Sequence, residues 1–519
     1  FPVLTYLVTK GSKDIGSSLG VVYGMNTLGG IVGSIVAGYL LLPNLGSQQT
    51  LVCLSILNFL SGMLLFATSS LFTGFIRKGA AISLSCLLFL FLLKMPNDLL
   101  KEIFLRDSDG KTNPEQLIYL KEGLTTTVAI FNNDRNEFKG KRLILNGVSM
   151  SADDMLARKY MTLLSYIPLL LTENPKNVLV ICFGTGQTAG AAGAYPGINL
   201  VDSVDISPGV FRAGKFFKAT NHNVVNNPKV KKIIQDGRQH LLTTSTSYDV
   251  ITAEPPPPIN AGSVNLYTRE YYELTKRALK PGGIVSQWIP LHSQAETHVY
   301  QNFRTFLESF PYAMAWYPVR SHIILIGSNQ PINIEFQGIE ERLQNPVINK
   351  IMSDIDFGTP YSFLGSIWFL KKELENLGSN QIVISDNNPS LEFYLNFPKV
   401  ISGDGIEKIV TNRASFEDVW GKITQSSFFL SKAQKVTFKK HWGSRRKAEY
   451  AVAHFNLGNA LLDKGRISEA ISHYKTAIEL NPDYAQAYYN LGVTLMNKGN
   501  TNEAISHYKT AIELKPDYA

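Results

Sequence analysis

Three acidic residues have the types and positions that chemistry at the edge of a sheet requires. Asp205 follows the apolar segment 200–204, Asp236 follows KKII, and Glu254 ends YDVITA. Such segments are typical of buried parallel strands, whose carboxyl ends meet at one edge, where ligands bind. A carboxylate there can accept a hydrogen bond from a ribose or an amino group, or take a proton from an amine. Read in isolation, Asp236 is equally an N-cap of the next helix, and Glu254 is more often an exposed loop acid.

A glycine turn precedes Asp205 and predicts a nucleotide-type site. The apolar run 177–182 ends in Gly184-Thr185-Gly186, and the small-residue stretch 188–194 follows. Small side chains let a helix pack close to the sheet and direct its N-terminal N–H groups at a ligand. Asp205 lies nineteen residues after Gly186, about where a ribose-binding carboxylate is expected. The next glycine is Gly190, which gives GxGxxxG and favours an adenosine cofactor of the S-adenosylmethionine kind over a dinucleotide.

Strand and helix patterns alternate through the region 176–400. After Asp205 we predict a helix from Pro208, a strand at 230–234, a helix near Arg238 and a strand at 248–253. This alternation predicts an α/β doubly wound parallel sheet, Rossmann-like and of the S-adenosylmethionine methyltransferase type. Four prolines at 255–258 lack N–H groups and have a fixed φ, so they predict a stiff, non-helical wall beside the sheet.

Simpler elements are predicted on both sides of this core. Strands at 125–131 and 142–145 and a helix at 152–171 predict a small β-meander and entry segment over 116–175. Beyond the core, 332–349 and 361–377 are predicted to be helical, and 416–438 is predicted to be a connector.

Residues 1–100 have the composition of a membrane region with two or three helices. The span 19–42 contains no charged residue, and its 24 residues at about 1.5 Å each cross a hydrocarbon core of about 30 Å. A second uncharged span covers 50–76, and a third, at 80–93, is short enough to be re-entrant. Lysines and arginine beside the first two spans predict which side is cytoplasmic. We favour a third run that dips and returns, so we expect a multi-pass protein of the cell membrane that contacts lipid, with cytoplasmic soluble domains.

Charge and cysteine content exclude several classes of function. The formal charge of +8 is diffuse, with no block of five like charges, and predicts attraction to anionic lipid rather than to nucleic acid. Cys53, Cys86 and Cys182 lie in apolar runs, as small buried side chains in a reducing compartment do. The cysteines form no CxxC pair, and we expect no metal.

Residues 449–519 contain a tandem repeat. Leu457-Gly458 recurs as Leu491-Gly492, a period of 34 residues, and EAISHYKTAIEL appears twice. This period predicts tetratricopeptide helix pairs, each of which leaves an apolar face that the next pair covers. We expect the repeats to bind a protein or peptide partner, or to act as a structural extension. The chain begins with Phe1 and stops within a repeat, so we expect it to be a piece of a longer protein.

Six motifs, in this order and spacing, resemble the spermidine synthase family: VLVICFGTG, VDSVDISPGV, IIQDGR, YDVITAEP, AGSVNLYTREYYEL and LKPGGIVSQW. The resemblance covers roughly 116–330. The later string ISDNNPSLEF, at 384–393, is similar to the end of the domain in a bacterial subgroup that fuses it behind membrane helices. The resemblance implies a transferase of polyamine biosynthesis that moves an aminopropyl group from decarboxylated S-adenosylmethionine to an amine.

The resemblance also implies roles for individual residues. The residues it assigns to the adenosyl donor are Gly184, Thr185, Gly186, Asp205, Asp236 and Gly237. Asp205 would bind the ribose and Asp236 the adenine. Glu254 would help to position and deprotonate the attacking amine, and Tyr160 and Tyr267 would line the substrate site.

Several positions depart from the synthases and put a dicationic diamine acceptor in doubt. The Asp of the family's glycine loop is Thr185, its catalytic Asp is the longer Glu254, and a second acid is Pro257. Near the amine pocket the replacements are Asn146, Met150, Thr162 and Tyr166. Ammonium groups removed from water need carboxylate partners, so adenosyl binding is better supported than putrescine as the acceptor. Two alternatives stay open: a degenerate module that binds an adenosyl ligand and recruits partners, and an S-adenosylmethionine-dependent methyltransferase.

Overall fold

The computed structural model describes residues 5–6, 9, 14–68, 74, 79–80, 83–88, 91, 116–133, 139–258, 260–291, 294–392, 412–426, 430–463 and 465–516. The chain forms two compact units. The first comprises residues 1–134 and 141–150, and the second comprises residues 135–140 and 151–519.

The first unit begins with a long apolar helical run. Helix α1, Ile15–Ile35, passes through a π-helical segment, Val36–Leu41, into α2, Leu42–Thr68, and the run breaks at Gly46, where φ is 80°. Of the described helices, the run Ile15–Leu64 is the one long and apolar enough to cross a membrane by length and composition. The predicted spans at 19–42 and 50–76 fall on this run as far as Thr68, so the described residues contain a single candidate membrane span in place of the predicted multi-pass arrangement. Of the third run, at 80–93, residues 80, 83–88 and 91 are described and are helical, whereas the linker 106–115 lies outside the described residues.

A four-stranded sheet completes the first unit. Its strands are β1, Gln116–Lys121; β2, Val128–Asn133; β3, Gly140–Leu145; and β4, Val148–Ala152. They are hydrogen-bonded in the order β1-β2-β3-β4. Asn146 and Gly147 both have positive φ, as a two-residue type I′ hairpin turn requires. The predicted meander therefore has four strands rather than two, and the Asn-Gly signal for the β3-β4 hairpin was missed.

The second unit contains an α/β core. Its helices and strands follow in this order: α3, Met155–Leu171; β5, Asn177–Ile181; α4, Gln187–Ala194; β6, Leu200–Asp205; α5, Pro208–Ala213; β7, Val230–Ile234; α6, Gly237–Thr243; β8, Tyr248–Ala253; α7, Arg269–Ala278; β9, Leu279–Pro290; α8, Glu296–Ser309; β10, Tyr312–Val319; β11, His322–Ser328; α9, Phe336–Gln344; α10, Pro346–Ser353; α11, Pro360–Leu364; β12, Ile367–Leu370; and α12, Lys371–Gly378.

The core sheet has eight strands in the order β12-β10-β11-β9-β8-β5-β6-β7. Strands β5 to β9 run parallel to one another, as the alternating pattern predicts. Strands β10, β11 and β12 add an antiparallel edge beyond β9. The prediction of helix throughout 361–377 was wrong, because the buried run Ile367–Leu370 pairs with β10 as a strand.

Among the described residues, five helices follow the core. They are α13, Phe416–Ser426; α14, Lys432–Asp463; α15, Ile467–Leu480; α16, Ala485–Asn497; and α17, Thr501–Leu514. The second half of α14 and α15 to α17 form antiparallel pairs with an apolar cluster between them that includes Leu457, Tyr474 and Leu491. A Cβ added to Gly458 would lie 2.6 Å from the Tyr474 ring, and one on Gly492 would lie 2.8 Å from the Tyr508 ring. The same glycine-to-tyrosine contact thus recurs one repeat later, as the 34-residue period predicts.

Candidate active site at the carboxyl edge of the parallel strands

Register places the three predicted acids at one edge of the sheet. In the central strand β5, Ile181 lies beside Val204 of β6 and Ala253 of β8. Asp205 is the next residue of β6 and Glu254 the residue after β8. Asp205 also pairs with Ile234 of β7, and Asp236 follows Ile234 by two residues. Because these strands are parallel, their carboxyl ends, and with them all three acids, share one side of the molecule.

The electrostatics of Cys182, the first residue after β5, show that the acids converge. Burial raises the pKa of the Cys182 thiol well above its usual value, and the charges of Asp205, Glu254 and Asp236 raise it further. All three carboxylates therefore act on one sulfur atom at the end of the central strand. Cys182 has a φ of 71°, an uncommon conformation for a residue other than glycine.

Glu254 is held by two hydroxyl groups at the end of β8. Its backbone N–H donates to the Ile181 carbonyl at 3.2 Å. The Tyr160 hydroxyl donates to Oε1 at 2.8 Å, and the Thr188 hydroxyl donates to Oε2 at 3.3 Å. Burial raises the pKa of Glu254 to about 7, although both hydrogen bonds act in the opposite direction. A carboxyl group with this pKa can exist as a free base near neutral pH and still hold a proton taken from a substrate.

Tyr160 belongs to an aromatic cluster that comprises Tyr160, Trp288 and His322. The rings of Tyr160 and His322 are stacked with centroids 4.2 Å apart, and the Trp288 ring lies 5.6 Å from Tyr160. Trp288 Nε1 donates to His322 Nδ1 at 3.0 Å, so the neutral His322 imidazole has its proton on Nε2. The cluster gives Glu254 a flat, largely apolar neighbour that also carries polar edges.

Asp205 is held by two backbone N–H groups. Phe183 N–H donates to its Oδ2 at 2.9 Å, and Ser207 N–H donates to Oδ1 at 2.8 Å. Burial raises the pKa of Asp205, and these two backbone bonds oppose the rise. Each carboxylate oxygen can accept a second hydrogen bond, so two ribose hydroxyls remain possible donors.

Asp236 is exposed and caps helix α6. Its Oδ1 accepts from Gln239 N–H at 2.9 Å, so the predicted N-cap role is present, and the same side chain lies at the sheet edge. A Cβ on Gly237 would lie 2.5 Å from Ile181, which explains why glycine begins the helix. Arg238 forms a two-pronged ion pair with Asp386, which belongs to the ISDNNPSLEF string. This ion pair links the segment 384–393 to the start of α6.

The glycine turn adopts the conformation that its sequence predicts. Gly184 and Gly186 have φ values of 52° and 83°, and Gly186 is the N-cap of α4. A Cβ on Gly186 would lie 2.6 Å from the Phe183 ring. The Thr185 hydroxyl is buried and donates to the Met161 sulfur at 3.6 Å. The Thr185 side chain therefore packs against α3.

Tyr267 packs against the proline segment that follows Glu254. It is fully buried, and its hydroxyl donates to the carbonyls of Pro255 and Pro256 at 3.1 and 3.2 Å. The proline segment is non-helical, as predicted, and Tyr267 fixes it after Glu254. Tyr267 thus contacts the segment that follows Glu254, and its predicted place in the substrate site stays a prediction.

Four residues at the site were missed by reasoning from the sequence: Thr188, Trp288, His322 and Gln287. Thr188 follows the glycine turn, where a small hydroxyl residue could have been noted. Gln287 pairs with Ala253 in the β8-β9 register and is fully buried, and neither amide atom has a partner among the described residues. A buried amide without hydrogen bonds costs free energy, so Gln287 marks this edge as a place where a polar ligand would satisfy it.

Two of the departures from the spermidine synthase pattern lie in α3, the helix that also carries Tyr160. Thr162 and Tyr166 are buried within α3, and the Tyr166 ring packs edge-on against Tyr195. Pro257 has no ionisable group. Asn146 and Met150 belong to the first unit. Among the described residues, no group of three or more His, Cys, Asp or Glu side chains could hold a metal ion.

Comparisons with known proteins match two parts of the chain. Residues 157–329 match the spermine/spermidine synthase domain. Residues 458–499 and 485–518 match tetratricopeptide repeat models.

Curated relatives include two enzymes from distant organisms. The polyamine aminopropyltransferase of Methanocaldococcus jannaschii is 28% identical over 249 residues, which cover 45% of this chain and 80% of that protein. The spermidine synthase of Dictyostelium discoideum is 34% identical over 158 residues, which cover 29% of this chain and 55% of that protein. Among solved structures, spermidine synthase from Thermotoga maritima aligns with a TM-score of 0.41 and 19% identity, over 51% of this chain and 88% of that one. The chain therefore contains a spermine/spermidine synthase domain, homologous to polyamine aminopropyltransferases, followed by tetratricopeptide repeats.

Proposed function

We propose that this protein transfers an aminopropyl group from decarboxylated S-adenosylmethionine to an amine. The observation that carries the proposal is that Asp205, Asp236 and Glu254 lie at the carboxyl ends of the parallel strands β6, β7 and β8, beside the glycine turn. Two acids at that edge suit the hydroxyls and amino group of an adenosine, and the third suits an amine. The homology of residues 157–329 to aminopropyltransferases supports the same reaction.

In this proposal the donor lies across the ends of β5 to β7. The N–H groups at the start of α4 approach the donor because Gly186 has no side chain. Asp205 accepts from the ribose hydroxyls through its remaining lone pairs, and Asp236 accepts from the adenine amino group. Gly237, packed on Ile181, brings the backbone of α6 close to the adenine.

Glu254 is the catalytic residue of the proposed reaction. The nitrogen lone pair of the acceptor attacks the propyl carbon next to the sulfonium, the carbon–sulfur bond breaks, and its electron pair returns to sulfur. The acceptor nitrogen loses a proton to Glu254, so charge and atoms balance. Such a displacement needs mainly alignment and a free lone pair, which a base at the acceptor nitrogen provides.

The protein would act at a membrane. The exposed apolar side chains of the run Ile15–Leu64 include Leu28, Ile31, Leu57 and Leu60, and a lipid environment would cover this surface. We propose that the protein resembles the membrane-fused subgroup and that its soluble parts are cytoplasmic, where an adenosyl donor would be supplied. A fusion to a reporter enzyme after residue 516, assayed on both sides of the membrane, tests this orientation. Activity of the reporter on the outer side alone would contradict it.

The repeats would bind a protein or peptide. Tetratricopeptide helix pairs form extended concave surfaces, which supports this role. A pull-down with the full chain and with a Gly492→Leu variant, whose side chain would meet Tyr508, tests it. Equal recovery of every partner with both proteins would contradict it.

Product analysis tests the reaction. The full chain in detergent is incubated with decarboxylated S-adenosylmethionine, or with S-adenosylmethionine itself, and a mixture of mono- and diamines, and the products are identified by mass spectrometry. We expect an aminopropylated amine and a neutral thioether of adenosine from the decarboxylated donor. Methylated products from intact S-adenosylmethionine would instead indicate a methyltransferase. Donor binding without any product would indicate a degenerate binding module.

The pKa of Glu254 predicts the pH dependence of transfer. Its pKa is raised to about 7, so the proton-accepting form becomes dominant only as the pH rises above that value. We expect kcat/KM for the amine to increase through about pH 7 with the slope of a single ionisation. Tyr160→Phe removes a hydrogen bond that lowers this pKa, so the same rise should move to higher pH. A profile that is flat between pH 5.5 and 8.5 in both proteins would exclude Glu254 as the base.

A further inference from the structure

One uninterrupted helix joins the core to the repeats. The first half of α14 carries Trp442 and Arg445 against the core, and its second half carries Leu457 and Leu461 into the apolar cluster of the repeats. The Arg413 guanidinium lies between Trp442 and Trp368, 4.5 Å and 5.1 Å from the two ring centroids. Since Trp368 belongs to β12, the helix is fixed to the antiparallel edge of the sheet.

Arg445 reaches from α14 to the end of β10. Its Nη2 donates to the Tyr317 carbonyl at 3.1 Å and to the Pro318 carbonyl. Its guanidinium lies 5.3 Å from the Phe357 ring. A guanidinium presents several donors in a fixed plane, so it can hold two successive carbonyls in one orientation.

The two carbonyls lie next to the turn that joins β10 to β11. Ser321 in this turn has a φ of 65°. Its N–H donates to the Tyr317 hydroxyl at 3.2 Å, and its carbonyl accepts from Leu291 N–H at 2.8 Å. The turn is thus held from two sides, by Arg445 with Tyr317 and by the end of β9.

Charge also links α14 to the turn. Glu449, one helical turn after Arg445, is buried strongly enough for its pKa to be raised, although Arg445, Arg320 and Arg413 all act to lower it. Arg320 belongs to the turn itself. This cluster joins the helix, the turn and the chain before α13 through opposite charges.

The residue after Ser321 is His322, a member of the aromatic cluster. Its backbone pairs with Pro290 of β9, and its ring stacks on Tyr160 and accepts from Trp288. Tyr160 in turn donates to Glu254. A shift of the turn therefore moves His322 relative to the ring that holds the proposed base.

We propose that Arg445 is a positioning residue for the acceptor side of the active site, acting through the β10-β11 turn on His322. Helix α14, whose second half belongs to the repeats, is then a structural part of the site. Without this helix the acceptor side of the site in the core is incomplete. This inference rests on the proposed function for its kinetic consequence, while its structural consequence can be measured without turnover.

The test compares Arg445→Met and Arg445→Lys with the unmodified full chain in two measurements. The first is the rate at which diethyl pyrocarbonate modifies His322, mapped by peptide mass spectrometry, with His507 of the repeats as internal reference. We expect a severalfold increase at His322 in Arg445→Met and a smaller one in Arg445→Lys, which keeps the charge but loses the planar fork. The second is steady-state transfer: KM for the amine should rise about tenfold while KM for the adenosyl donor is unchanged.

Lys435→Met is the matched control. Lys435 lies on the same helix and pairs with Glu417 of α13, far from the turn in sequence, so neither measurement should change. If Arg445→Met fails to fold, Tyr317→Phe takes its place, because it removes only the hydroxyl that accepts from Ser321 N–H. We expect that variant to change His322 reactivity in the same direction by a smaller factor.

Unchanged His322 reactivity and an unchanged amine KM in the folded Arg445 or Tyr317 variants would overturn the inference. A rise in the KM of both substrates together would also overturn it, since a general loss of order has that effect. If the unmodified protein transfers no aminopropyl group, the proposed function fails, and His322 reactivity alone then decides whether Arg445 positions that ring.

Discussion

Replacing Glu254 by Gln is expected to lower aminopropyl transfer by about 10²–10⁴-fold, the range over which a positioned general base contributes. The amide keeps the size of the side chain, and its oxygen can accept from one of the Tyr160 and Thr188 hydroxyls that hold Oε1 and Oε2, while its NH2 group can donate to the oxygen of the other. It cannot accept a proton from an ammonium group. Binding of the adenosyl donor should remain nearly intact, because Asp205 and Asp236 are unchanged.

Steady-state kinetics and calorimetric titration with the donor measure the two effects separately. Glu308→Gln serves as the control, since Glu308 is an exposed carboxylate of α8 that pairs with Arg304. Transfer at the original rate in Glu254→Gln would remove Glu254 from the mechanism. Loss of donor binding together with transfer would show that the carboxylate supports the fold of the site instead.

The second large effect is expected from Gly190→Ala in helix α4. A Cβ there would lie 2.0 Å from the backbone carbonyl oxygen of Asn221, which no rotation of a side chain can relieve. The Asn221 amide donates to the Thr185 and Gly214 carbonyls, both at 2.9 Å, so moving Asn221 disturbs the glycine turn as well. We expect a loss of about 3 kcal/mol or more in the free energy of unfolding, since forced overpacking of this kind typically costs 1–3 kcal/mol even where side chains can yield.

Thermal unfolding of the full chain, followed by circular dichroism, measures this loss, and donor titration measures the effect on the turn. Gly421→Ala is the matched control, because Gly421 lies inside α13 and has no atom within 4 Å of an added Cβ. That substitution should be neutral or stabilise by up to about 1 kcal/mol, since alanine is the better helix former. An unfolding midpoint for Gly190→Ala equal to that of Gly421→Ala would show that the close approach of α4 to Asn221 is absent in solution.

The sequence was sufficient to predict the parallel half of the sheet and the acids at its edge. Strands β5 to β8 are short runs rich in Val and Ile, and Asp205, Asp236 and Glu254 lie within two residues of the ends of β6, β7 and β8, so local pattern and register agree. The glycine turn was also predictable, because the positive φ of Gly186 and the close packing around it both select glycine. Close packing selects glycine at Gly237 as well.

The aromatic cluster could not be predicted, because its members come from three elements far apart in the chain. Tyr160 lies in α3, Trp288 in β9 and His322 at the start of β11, and no spacing connects them before the antiparallel edge has formed. Thr185 and Tyr267 were placed against ligands because their neighbours in sequence are site residues. Both side chains are buried, which only packing decides.

The start of the first repeat helix could not be predicted from the repeat pattern. Periodicity begins near 449, and the predicted domain therefore starts there, but α14 begins at Lys432 and passes through that position without a break. The first half of the helix has no repeat pattern because its side chains are selected by the core, as Trp442 and Arg445 illustrate. The repeat pattern is therefore present only in the second half of α14, which packs on the other helices of the repeats.

Helix α14 has 32 residues, which at about 1.5 Å per residue make a rod of about 48 Å. A shortened protein that ends where the repeats begin would cut this rod in the middle and leave Trp442 and Arg445 on a frayed terminus. Expression of the synthase domain alone should therefore retain the chain to about residue 463, even though half of that helix belongs by sequence to the next domain. A fusion of these repeats to another enzyme would also have to keep α14 whole, because the two parts share this helix and are not joined by a flexible linker.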